Sequence, residues 1–371
     1  MSFRSHVWGA AFGVAGLALC LSGCSSSTAP VSLSDPVATA AQLAALDSAF
    51  AAPVVASFQS LGSSIHPPAP VVHAAIGALR TVRSQAAPKR YTMLATQGRT
   101  LQQVVPIFAS LGATSIFPDT LLGAVFSWDP STHSYFRSSK TGGPANGIRF
   151  LLYAINPLTD EPSTPLTQVG YVDLLDQSSG GTASLEIQVK NTDGSITYLD
   201  YTFTGSGTSA SFMATVTGTI TNGLAGSANK TLTFSLSITG NTSSVTLTST
   251  YTLNNPAVTV QETVTILDDG TTTTLTINFT FTRTGETIQL SGTLSASDAT
   301  GDGTINLTFK VNGSTFATIT GSISNPVIAR PGGGQLTADE LNALIHVLVA
   351  SEDVGARISD LFQPAEQILG F

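Results

Sequence analysis

The chain has 371 residues, with 15 Lys and Arg, 23 Asp and Glu, five His and two Cys, and only 10% of it is charged. A net charge of −8 argues against a nucleic-acid partner, which is recognised through clustered cations that neutralise phosphates. At 42% apolar residues the chain is rich enough for a large core, and Thr, Ser and Asn must carry the solubility that charges usually supply.

Arg4 precedes an uncharged apolar run from Val7 to Leu21. That layout is a secretory signal, and at roughly 15 residues the run is short of the roughly 20 that a spanning helix needs. It leads into Leu21-Ser22-Gly23-Cys24. This sequence resembles the lipobox of bacterial lipoproteins. The resemblance implies that residues 1–23 are removed, that the Cys24 thiol is diacylated and that the new amine is acylated too, which anchors the chain lastingly in a membrane. Ser25 stands where the family's inner-membrane retention signal places Asp. An outer membrane is therefore the expected address wherever there is one, with periplasmic and surface orientations both open. Cys20 leaves with the leader, so the mature chain keeps one cysteine and can form no internal disulfide or cysteine-based zinc site. Arg4 leaves too, so fourteen basic side chains face 23 acidic ones.

Residues 24–34 are small and polar and read as an acylated flexible tether. A helical region follows over 35–118. Ser34 or Asp35 can cap its first helix and Pro36 suits the first turn, while Leu43, Leu46, Phe50, Val54, Phe58 and Leu61 recur at spacings of three and four, with a kink expected at Pro53. A second helix is expected from Val71 to Arg83, and 101–111 offers another.

Over 119–326 the period changes to two. About fourteen strands are expected, from 121–128 to 314–323, joined as an antiparallel meander through turns such as Asp129-Pro130, Asp193-Gly194, Asp269-Gly270 and Asn312-Gly313. Leu232, Phe234, Leu236 and Ile238 alternate with Thr231, Thr233, Ser235 and Ser237, and Leu275, Ile277, Phe279 and Phe281 alternate with Thr274, Thr276, Asn278 and Thr280. One face is therefore apolar and the other a Thr/Ser lattice. The strand at Ile148–Ile155 is apolar on both sides, which calls for cover on both, most economically by the N-terminal helices. The last part, 327–371, closes with helix: Thr337 and Glu340 form a capping box ahead of Leu341, Leu344, Ile345 and Leu348.

The fold class expected is thus α+β, mainly β, with a long sheet curled into a trough or open barrel and helices packed on it. A sheet of that width cannot stay flat, and its own side chains do not fill what it encloses. Two occupants are open: the protein's helices, or an apolar ligand such as a lipid. The layout is similar in pattern to the curled half-barrel of periplasmic lipoprotein carriers, which implies a ligand site on the apolar face. Its lining would be Leu232, Phe234, Leu236, Ile238, Leu275, Ile277, Phe279 and Phe281, with Glu262 as an inward carboxylate able to hold a headgroup. A membrane-spanning barrel is not expected, because girdles of Trp and Tyr are missing and the chain closes with helix.

No catalytic or cofactor signature is present. His66, His73, His133 and His346 lack metal-ligand spacing, and there is neither a nucleophile elbow nor a phosphate loop. Asp298 to Gly303 begins like a calcium loop, but its twelfth position is Phe309 where a Glu is required, so a polar hairpin turn is the reading. The functional expectation is a membrane-anchored, non-enzymatic binding or structural module, either a carrier of apolar ligands or a structural or adhesive surface protein with a filled core.

Overall fold

The computed structural model describes residues 31–64, 116–208, 211–241, 243–297, 300, 302–347 and 361. Cys24, the helix expected at 71–83, the 101–111 segment and most of the chain beyond 347 lie outside them.

The chain enters through α1 (Pro36–Ala44), capped by Asp35, whose carboxylate accepts the Ala38 N–H at 2.9 Å. A 3-10 turn (Ala45–Phe50) and a second helix, α2 (Pro53–Ser64), follow. The expected kink at Pro53 is a full break: the proline opens α2, where its missing N–H costs nothing.

Among the described residues, seventeen strands follow: β1 (Val125–Asp129), β2 (Ser134–Arg137), β3 (Gly147–Tyr153), β4 (Ile155–Asn156), β5 (Glu161–Pro162), β6 (Gln168–Asp176), β7 (Ala183–Asn191), β8 (Thr197–Thr208), β9 (Ser211–Thr221), β10 (Thr231–Asn241), β11 (Ser244–Asn254), β12 (Ala257–Asp268), β13 (Thr272–Arg283), β14 (Glu286–Ser297), β15 (Gly303–Val311), β16 (Ser314–Ser322) and β17 (Asn325–Ala329). Fifteen form one sheet in the order β17 to β6, then β3, β1 and β2, whose first and last strands do not pair with each other, so it is not closed into a barrel. From β6 to β17 it is the expected antiparallel meander. The start departs from it, because β1 pairs with β3 in parallel, Phe126 beside Phe150, and β2 is left at the edge. Hairpin chemistry specifies only which strands turn back, so this crossover was not legible. At the other end β17 extends the sheet three residues past the expected limit at 326. Among the hairpins, Asn312 and Gly313 both take positive φ (49° and 81°), as a two-residue turn matched to the strand twist requires.

Helix and sheet share one core. Leu46, Phe50, Val54, Phe58 and Leu61 pack with the inward side chains of β3 to β16, together with Ala343, Leu344 and Val347 of a third helix, α3, which covers 338–347. α3 begins with the expected capping box: the Thr337 N–H donates to Glu340 at 2.9 Å and the Glu340 N–H donates to the Thr337 hydroxyl at 3.2 Å. Close approach of α2 to the sheet depends on Gly170 in β6, where a Cβ would stand 2.6 Å from Val54 Cγ2. Both faces of β3 are covered, as its apolar pattern requires: Ile148, Phe150, Leu151, Leu152 and Tyr153 are all buried. α2 covers Ile148, Phe150 and Leu152, whereas Val125, Leu151 and Tyr153 form a separate small cluster with Trp128, against which Leu166 and Tyr171 pack. The strand also ends at Tyr153, and Ile155 belongs to the small β4–β5 hairpin.

Candidate functional site

The register of β8 to β16 turns the alternating sequence into rows that run across the sheet. On the inner face one row joins Phe234, Tyr251, Val260 and Phe281, and the next joins Leu236, Ser249, Glu262 and Phe279. A third carries Ile238, Leu247, Val264 and Ile277, and Leu275 sits beside Ile266 in the fourth. Pairing through Glu262 is continuous, so the carboxylate stands on the inner face without a bulge.

Every expected lining residue therefore shares one face, but they differ in cover. Leu232, Phe234, Leu275, Ile277, Phe279 and Phe281 are buried, the most accessible being Ile277 at 8%. Leu236, Ile238 and Glu262 are half-buried. The inner wall is continuous with the helical core, and Val245 and Ala214 form a small separate cluster at the end where Ile238 and Leu247 lie.

Three polar side chains that the expected site did not include accompany Glu262. Tyr201 faces Gly218, and its hydroxyl donates to the Leu361 carbonyl at 2.8 Å. Tyr251 stands two residues from Ser249 on the same face; burial pushes its hydroxyl up to about 12, with the nearby Ser249 hydroxyl opposing and the Glu262 carboxylate adding to the rise. Ser249 Oγ is buried outside hydrogen-bonding geometry. Alternation with Leu247 and Leu253 was the signal that could have placed Tyr251 and Ser249 inward.

At the edge of this wall lies an ionic clasp. Arg283 and Glu286 face each other across the β13–β14 turn on the inner face, with side chains 7% and 1% exposed. The guanidinium donates to Glu286 Oε2 at 2.9 Å through Nε and at 2.6 Å through a terminal nitrogen, which also reaches the Ser34 hydroxyl at 3.0 Å and the Asp35 carbonyl at 3.1 Å. Ser34 N–H donates to Glu286 Oε1 at 2.7 Å. Burial would raise the Glu286 carboxyl, but the bonds from Ser34 and Arg283 outweigh it and hold it below the usual range. Arg330, after β17, donates to the Val31 carbonyl, pairs with Glu340 at 3.3 Å and lies over the Phe316 ring. Two Arg–Glu pairs thus fix residues 31–35 to one end of the sheet.

The outer face is the expected hydroxyl lattice. Thr204, Thr215, Ser237, Thr248, Thr263, Asn278, Ser291, Thr308 and Thr318 stand in one row. Neighbouring hydroxyls approach one another, as at Thr246 and Thr265 (3.3 Å) and Thr274 and Ser295 (3.3 Å). Nearer β3 the same face carries a bidentate Arg149–Asp173 pair at 2.6 and 2.8 Å, with the guanidinium over Tyr171. Among the described residues no three His, Cys, Asp or Glu side chains could hold one metal ion, and Asp298 of the aborted calcium loop lies outside them. Compared with protein-family models, curated proteins and solved structures, the chain matches none.

Proposed function

We propose that the protein is a lipid-anchored, extracytoplasmic structural or adhesive module whose working surfaces are the Thr/Ser face and the turns. The observation that carries this reading is the cover over the inner wall: the side chains an apolar ligand would meet first, Leu232, Phe234, Phe279 and Phe281, are packed in one core with the helices. Burial of this kind stabilises the fold by roughly 1.5–3 kcal/mol for each large apolar side chain, and a ligand would have to displace it. A row of uncharged hydroxyls on the opposite face offers hydrogen bonds to a polar surface without the desolvation of charge.

Half-buried Leu236, Ile238 and Glu262 favour a second reading, in which an amphiphile enters at that end of the wall with its headgroup at Glu262. Native mass spectrometry of the unacylated chain from residue 25, which keeps residues 31–35 in place, purified from a bacterial host, with organic extraction of whatever accompanies it, separates the two. An empty protein that takes up no apolar fluorescent probe is expected. A stoichiometric lipid overturns the structural reading and makes the wall a binding site.

A further inference from the structure

We infer that the domain docks on its own membrane through one defined end, with the Leu158 and Leu224 turns touching the lipid. Antiparallel pairing sorts the connections of the sheet into two ends. Residues 31–35 are clasped to the end that carries the β13–β14 turn, and the same end carries the β9–β10 loop and, beyond β3, the β4–β5 hairpin. The His133–Glu161 contact at 2.8 Å places the β1–β2 turn there as well.

Among the described residues, the large apolar side chains that stand exposed in a connection rather than in a strand or helix are Leu158, 76% accessible, and Leu224, 55% accessible. Both lie at the clasped end. Leu224 belongs to an exposed, uncharged tip, Leu224-Ala225-Gly226-Ser227-Ala228, held in shape by the Asn222 and Asn229 amides, which donate to the Ala228 and Leu224 carbonyls, and by the Leu224 N–H, which donates to Asn222 Oδ1. Val37, in the first turn of α1 beside the clasp, is exposed too.

The occupant follows from chain length. This inference rests on the acylation of Cys24 argued above. Six residues lie between Cys24 and Val31, and the seven steps they span reach about 25 Å when fully extended. The clasp therefore keeps this end within a short distance of the lipid surface, so contact becomes an intramolecular event at high effective concentration. Single exposed leucines are ordinary on soluble proteins; two loop-tip leucines at the one tethered end are the pattern that fits a lipid surface. Asp35, Asp129, Asp160, Glu161 and Asp193 stand at this end against Lys190, Lys230 and Lys310, so apolar insertion and not charge drives the contact, and salt has little effect on it.

The test couples the mature chain, residues 24–371, through its single Cys24 thiol to a maleimide lipid in phosphatidylcholine vesicles, and compares backbone hydrogen exchange with the uncoupled chain. A severalfold slowing at 157–160 and 224–228, with none at the opposite turns 269–271 and 323–324, is expected. Unchanged exchange at the leucine tips, or slowing at the opposite turns, overturns the docking. A Leu158→Ser/Leu224→Ser variant should lose the slowing while its strands exchange as before, and persistence of the slowing in it also overturns the inference. The intact mass of the protein from the membrane fraction of a bacterial host reports separately on acylation: an unmodified Cys24 refutes the anchor and leaves the docking result standing by itself.

Discussion

The hydroxyl of Tyr201, on β8, donates to the carbonyl of Leu361 at 2.8 Å, across 160 positions of sequence. Both residues are fully buried, so this bond ties Leu361 to the inner face.

Tyr201→Phe keeps the ring and removes the donor of this buried hydrogen bond. The expected loss is about 0.5–1.5 kcal/mol, read as a lowered denaturant midpoint with an unchanged slope. A chain as stable as the wild type would show that the bond adds nothing net to the fold.

The clasp gives a pH dependence. Glu286 is held below its ordinary value, so the unfolded chain binds a proton first as pH falls, and stability falls with it. The contribution is complete above about pH 4.3 and is lost as pH drops through the lower folded value. Melting temperatures of the wild type and Glu286→Gln should therefore converge in acid. Arg283→Met should be the harsher change, about 3–5 kcal/mol, because it leaves a carboxylate buried without its partner, while Arg283→Met/Glu286→Met should recover part of that loss. Equal losses in the single and double variants would contradict this account.

Gly218 lies on β9 between Tyr201 and Phe234, whose rings approach to 6.4 Å over it. A Cβ there would stand 2.4 Å from Tyr201 Cβ and 2.5 Å from the Asp200 carbonyl oxygen. Gly218→Ala should cost about 1–3 kcal/mol through forced backbone movement, despite removing a strand glycine. Ala214→Gly, on the same strand and face, serves as a comparison that deletes a methyl without a clash; urea unfolding of both variants gives the ranking.

Much of the fold was legible locally. Period-two alternation in β10 and β13 put Leu232 to Ile238 and Leu275 to Phe281 on one face, because successive strand side chains must point to opposite sides. The capping box at Thr337 and Glu340 was readable, and the first cap was narrowed to Ser34 or Asp35, of which the structure uses Asp35, since a helix end needs those oxygens within a few residues. Glu262 was placed inward for the same reason, and the uninterrupted register keeps it there.

What the sequence alone determined, then, is what repeats over a few residues: strand and helix boundaries, the apolar and hydroxyl faces, the hairpins. Only tertiary structure decided the parallel β1–β3 pairing, the cover over the inner wall and the clasp. Those depend on which distant segments meet, and Arg283, Glu286 and Ser34 carry no local signal of their meeting. Burial of the Arg–Glu pair is tolerated because every partner arrives together, two across a turn and one from 252 residues away.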